Sequence, residues 1–228
     1  MSGDIERLRI DLAHLADPAQ RESMEAYMRH QFVFLGVKTP ERRRYTKRLL
    51  RDATDWEADR IVGFVDESWV QPEREFQYVG ADVVARHASR LHAAHLADLR
   101  WWITSRSWWD TVDALAAHGV GTIVAAHPEG GAEMDLWIED PDRWVARSAI
   151  LHQLRYKENT DRDRLFRYVL SRGMDTDFFI RKASGWALRE YAKTAPDEVR
   201  RFVDRHGQRL SALTRREALK NLRREGPR

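Results

Sequence analysis

The sequence predicts an all-α fold, an α-solenoid of stacked helix pairs. Three observations carry this. Apolar residues recur at spacings of three and four almost throughout, and the strict alternation of a half-buried strand is nearly absent. Pro and Gly fall between the periodic segments, where helices stop. Late in the chain, related pairs of segments recur at an offset of 34 residues, as in Arg147-x-Ala149 with Leu154 against Arg181-x-Ala183 with Leu188. A weaker echo falls at Arg216-x-Ala218. A helix pair of this length cannot bury its apolar face alone, so neighbours stack into a curved layer with a concave surface.

The elements follow in order. The first clear helix starts near Pro18, runs through MEAYMRHQFVFL and ends at Gly36. Thr39-Pro40-Glu41 opens the second, with Thr39 as N-cap and Pro40 at the first helical position. Asp55 caps the third, DWEADRIVGFVDESW. The fourth follows from Glu73 as REFQYVGADVVARHASRL, and HLADLRWWITSR is the fifth. The sixth begins at or near Ser107 and carries WWDTVDALAAHGVGTIVAAH until Pro128, Gly130 and Gly131 break it. Within it, Gly119-Val120-Gly121 reads as close helix packing. The repeating pairs are PDRWVARSAILHQLRYK with DRDRLFRYVLSRG, then DFFIRKASGWALREYAK with PDEVRRFVDRHG. SALTRREALKNLRR is the last helix. No low-complexity linker divides the chain, so residues 1–228 are expected to form a single repeat domain.

Composition excludes several classes. The 228 residues contain no Cys, so there is no disulfide scaffold, thiol nucleophile or Cys-ligated metal. No run of about 20 apolar residues exists to span a membrane. MSGDIERLRIDLAHLA lacks the apolar core of a signal peptide, so a cytoplasmic protein is expected, nucleoid-associated when bound to DNA. The histidines form no HExxH or similar ligand set, and neither a P-loop, a GxGxxG after a strand nor a GxSxG elbow is present. The expectation is therefore no metal, no nucleotide cofactor and no serine hydrolysis.

The net charge of +3 hides an asymmetry. Residues 1–141 hold 17 Lys+Arg against 24 Asp+Glu, whereas residues 142–228 hold 22 against 12. A basic third on a mildly acidic chain points to a polyanion, nucleic acid first. It equally describes an arginine-rich solvated surface. Nine Trp are a second oddity, because so large a side chain packs or recognises something.

The densest candidate site is Ser107-Trp108-Trp109-Asp110-Thr111-Val112-Asp113. Trp109 and Asp113 are four apart and share a helical face, an indole beside a carboxylate that can hold a cation. Ordinary packing and a solvated charge explain an isolated W-x-x-x-D as well. Arg147 lies in a later repeat, where it can meet Asp113 or fork a phosphate, and an interhelix salt bridge is the simpler reading. Trp186 with Arg189 three residues on makes either a stacking platform for nucleic acid or a core Trp. Tyr27, flanked by Met24, Met28 and Arg29, packs or stacks.

These segments together are familiar. QFVFLGVKTPERRR, REFQYVGADVV, SWWDTVD, RWVARSAILHQLRYK and FFIRKASGWALREYAK, in this order, resemble the AlkD family of DNA alkylation repair proteins. The likeness runs from about residue 18 to about residue 222. It implies a solenoid of HEAT-like repeats, curved, that cradles double-stranded DNA on a basic concave face. It also implies a cofactor-free DNA glycosylase acting on positively charged N3- and N7-alkylated purines without flipping the lesion, and a monomer is the default expectation. By the resemblance the catalytic carboxylate falls on Asp113, its aromatic partner on Trp109 and a second aromatic on Trp186. The arginine that grips the backbone near the lesion falls on Arg147, and an aromatic of the first repeat on Tyr27. Further DNA contacts fall on Arg155, Phe178 and Arg189, with Arg155 standing where relatives carry Lys. The alternative is a non-catalytic HEAT-repeat protein that binds damaged or branched DNA.

Overall fold

In a computed structural model that describes residues 3–222, every main element is a helix. Among the described residues, β pairing is confined to one isolated parallel bridge between Val33 and Glu73. No helix of these residues is long and apolar enough to cross a membrane. The fold is an all-α helical repeat. The residues group into two compact units, one up to Leu91 and one from His92.

The first unit contains α1 (Gly3–Ala13), α2 (Pro18–Tyr27), α3 (Thr39–Asp52), α4 (Ala58–Trp69) and α5 (Arg74–His87). α1 precedes the first helix expected from the sequence and buries Ile5, Leu8 and Leu12. Those positions are three and four residues apart, one face of a helix. α4 buries Ile61, Phe64, Val65, Ser68 and Trp69 in the same manner.

α2 is shorter than its apolar pattern predicts. It ends at Tyr27, and Arg29 and His30 turn the chain with φ of 55° and 54°. The segment QFVFLG is then not helical, and it is held by a carboxylate. Glu75, fully buried, accepts the N–H groups of Leu35, Gly36 and Val37 at 3.1, 2.9 and 3.0 Å. A carboxyl group that accepts from several backbone donors replaces the helical ladder those amides would otherwise need. Gly36 takes φ 92°, the left-handed region that glycine tolerates. Asp55 sits in a short 3-10 turn, and Glu57 takes the cap position of α4 instead.

The second unit contains α6 (Leu96–Thr104), α7 (Trp109–Ala114), α8 (Gly121–Ala126), α9 (Gly131–Trp137), α10 (Arg143–Leu151), α11 (Arg162–Ser171), α12 (Phe178–Tyr191), α13 (Pro196–His206) and α14 (Ala212–Ala218). α9 has no counterpart in the sequence prediction. Residues Leu115–Val120 join α7 to α8 as a π-helical stretch, so the expected single helix is continuous but rewound. The 34-residue period is structural. α10 packs on α12, and α12 on α14. Their caps repeat as well: Asp142 accepts from Trp144 N at 2.7 Å and Asp177 from Phe179 N at 2.7 Å. Ser211 accepts from Thr214 N at 3.0 Å. Each side chain satisfies a backbone donor that the helix start leaves open.

The close packing read at Gly121 is real. A Cβ there would stand 2.2 Å from the carbonyl oxygen of His152. His152 itself is 1% exposed, with its ring Nδ1 at 2.6 Å from the Ala149 carbonyl, so Nδ1–H donates. Burial pushes its pKa down to about 4 from 6.5. The folded pKa is depressed, so the unfolded chain takes up the proton first as pH falls, and stability is lost from 6.5 down to about 4. The expected loss between pH 7 and pH 5 is about 2 kcal/mol. Urea unfolding at the two pH values measures it. His152→Gln, which still donates but does not titrate, should flatten that difference; an equal drop in both proteins would show that other groups govern it.

Candidate functional site

Three aromatic rings from successive layers of the second unit pack into one cluster. Trp108 enters α7 in extended backbone, φ −158° and ψ 159°, which turns its ring inward. It is 8% exposed and packs on Trp144 of α10 at 5.7 Å and on Phe179 of α12 at 5.2 Å. Trp144 and Phe179 complete the triangle at 4.8 Å. Such offset and edge contacts hold the starts of α7, α10 and α12 in fixed register.

One turn into α7, Asp113 meets Arg147 of α10. Arg147 Nε donates to Asp113 Oδ1 at 2.7 Å and Nη2 to Oδ2 at 2.8 Å. Its third nitrogen, Nη1, donates to the Phe179 carbonyl at 2.5 Å. The guanidinium is thus joined to all three layers at once. The planar fork matches the carboxylate and fixes its rotation. Arg147 is 3% exposed, whereas the Asp113 side chain keeps 17%. The carboxylate is therefore anchored through both oxygens and keeps only a small part open to solvent. Burial raises the Asp113 pKa above the ordinary value of 3.8, against the downward pull of Arg147.

The other expected site residues divide as follows. Trp109 is half-buried on α7, one turn before Asp113 and on its face. Trp186 is half-buried on α12. Phe178, the first residue of α12, is 52% exposed and touches Phe179 edge-on at 5.4 Å. Arg189 is bonded to Glu217 at 2.5 Å. Arg155, exposed beyond the end of α10, contacts the His118 ring on the π-helical stretch. Tyr27, 70% exposed at the end of α2, belongs to the first unit. Arg147, expected from the resemblance to grip the DNA backbone, is a buried partner of Asp113. That is the interhelix salt bridge which its 34-residue offset from Asp113 also allowed.

Three participants escaped sequence reasoning. The Phe179 carbonyl is a backbone atom and leaves no motif. Lys182, four residues before Trp186, carried a positional signal that went unread. Glu217 lies 28 residues after Arg189, and nothing local connects them. Among the described residues, no group of three or more His, Asp or Glu stands arranged to hold a metal ion. Chemically, an anchored and largely buried carboxylate can stabilise a cation that forms beside it, and it can orient a water.

Comparison with known proteins bears on what that cation is. The model of a family described as DNA alkylation repair enzyme matches residues 8–222. A solved structure of a predicted DNA alkylation repair enzyme from Enterococcus faecalis is 32% identical, and the match covers 92% of this chain and 97% of that one, with a TM-score of 0.84. No curated protein sequence matches the chain.

Proposed function

This chain belongs to the DNA alkylation repair enzyme family, and we propose that it is a DNA glycosylase releasing positively charged N3- and N7-alkylated purines from duplex DNA. The observation that carries this reading is the Asp113–Arg147 pair, a carboxylate held through both oxygens by the guanidinium fork and still 17% exposed. An alkylated purine of this kind already bears a positive charge. The C1′–N bond breaks with its electron pair going to the ring nitrogen, so the base departs neutral and no general acid is required. The sugar left behind develops oxocarbenium character. Asp113 stabilises that charge through space, and the faces of Trp109 and Trp186 add cation–π attraction. Water then adds at C1′ and passes its proton to Asp113 or to solvent.

The role of Arg147 in this scheme is positioning. It holds the carboxylate in one rotamer, and its own burial keeps it from replacing the substrate cation. The arriving lesion brings a second positive charge to the open side, which lowers the Asp113 pKa and keeps the group ionised. Arg155, Phe178, Arg189 and Tyr27 are assigned to the DNA backbone. The scheme acts on sugar and charge rather than base shape, in keeping with the non-flipping action that the family resemblance implies and unlike most enzymes that work on bases. Substrate choice then follows glycosidic-bond weakness, and neutral lesions are poor substrates.

The direct test is base release from duplex DNA carrying N7-methylguanine or N3-methyladenine, with undamaged duplex binding measured across a salt series. Free methylated purine, together with binding that falls steeply with salt, is expected. Binding without release would favour a non-catalytic protein for damaged DNA. Binding that is weak and insensitive to salt would remove DNA as the partner.

A further inference from the structure

Glu217 is a buried acid between two cations. It lies on α14, 7% exposed, with Oε1 at 2.9 Å from Lys182 Nζ and Oε2 at 2.5 Å from Arg189 Nη1. Both cations belong to α12, at positions four before and three after Trp186. The three therefore line one helical stripe with the indole in the middle. The close approach of the two helices is what allows this. A Cβ at Gly185 would stand 2.6 Å from the Glu217 Cβ and 2.9 Å from the Thr214 carbonyl. With no side chain there, Glu217 reaches the stripe from beneath. The cations hold its pKa below the ordinary 4.5, with Lys182 the larger influence.

The geometry is layered. The carboxylate is 9% exposed, while the Arg189 and Lys182 side chains keep 21% and 40%. An anion approaching from solvent meets cations first and the acid last. Two cations and one carboxylate leave a net charge of +1, matching one phosphodiester. We propose that Glu217 is an internal counter-ion holding Lys182 and Arg189 on either side of Trp186 as a clasp for one DNA backbone phosphate. The proposal rests on the duplex-DNA reading above, and what it adds is the role of Glu217 and Lys182. Glu217 is a positioning residue that acts through the two cations. Without it they would carry more net charge but no fixed geometry. Affinity for any duplex and the rate of base release should then move in opposite directions, which a purely structural tie between α12 and α14 would not produce.

The experiment compares the full chain with Glu217→Gln and Lys182→Gln. Binding to undamaged duplex is followed by anisotropy over a salt series, alongside thermal melting and release of N7-methylguanine. Glu217→Gln is expected to bind more tightly at low salt, with a log–log salt slope steeper by about one. Its base release is expected to fall on the order of tenfold as the cations lose their geometry. Lys182→Gln should make the slope shallower by about one. Salt slopes unchanged in both variants would overturn the clasp. A steeper slope with unchanged base release would make Glu217 a brake on binding and overturn the positioning role. Binding, release and melting temperature all falling together in Glu217→Gln would make it a structural tie. If the unsubstituted protein releases no base, the glycosylase reading fails, and the salt slopes still decide whether the clasp exists.

Discussion

Asp113→Asn is expected to slow release of N7-methylguanine and N3-methyladenine on the order of 10²–10³-fold, with binding to undamaged duplex retained. The magnitude is that of removing one preorganised electrostatic contact to a charge that exists only in the transition state. The shape of the site barely changes, since the amide fills the volume of the carboxylate. What disappears is the negative charge on the open side. A second consequence comes from the other side. Arg147 offers donors from Nε and Nη2, at 2.7 and 2.8 Å, and the amide can accept only one of them. Its own N–H₂ then confronts the second donor. The variant should therefore melt below the unsubstituted protein while staying folded, and binding to undamaged duplex separates the lost charge from a lost fold. Full activity in a folded Asp113→Asn protein would remove Asp113 from the mechanism. In the unsubstituted enzyme, kcat/KM should decline on the acid side at a pH above 3.8, because burial raises the group that must be ionised in the free protein.

Arg147→Ala should be the most destabilising single change at the site, costing about 3–5 kcal/mol by leaving a buried carboxylate without its cation. It also strips the donor from the Phe179 carbonyl. The cost should depend on pH with a definite sign. Removing the cation raises the Asp113 pKa further, so the folded state is penalised only while the group must be ionised. The penalty is full at pH 8 and shrinks as the pH falls and Asp113 takes up a proton. Denaturant unfolding of both proteins at pH 8 and pH 5 measures it. Arg147→Lys restores a positive charge but not the fork, so it should recover part of the stability and little of the base release. A penalty independent of pH would place the effect in lost packing rather than in the charge of Asp113.

The all-α fold and the helix pairs from Arg143 onward were legible from local pattern, whereas Asp113, Trp109 and Trp186 took their roles from the family resemblance. The later helices were clearest from their repeat, and the structure adds that Asp142, Asp161 and Asp177 cap α10, α11 and α12. The errors cluster where tertiary contacts replaced local ones. Residues 29–37 carry apolar spacing suited to a helix, yet the buried Glu75, some 40 residues away, takes their amides. α9 was missed because Gly130 and Gly131, read as breakers, open it.

The sequence by itself determined the helical period and the repeat length, and it singled out Asp113, Trp109 and Trp186 as candidate residues. Those follow from spacing along one helix, which the chain carries locally. It left open which way each charged side chain turns. Arg147 had two possible partners, a phosphate or Asp113, and only the stacking of α7, α10 and α12 brings its fork within 2.7 Å of the carboxylate. Glu217 joins Lys182 and Arg189 only because the missing side chain at Gly185 lets α14 approach α12. Partner choice for a charge depends on distance and burial, and both are properties of packed helices rather than of any one segment.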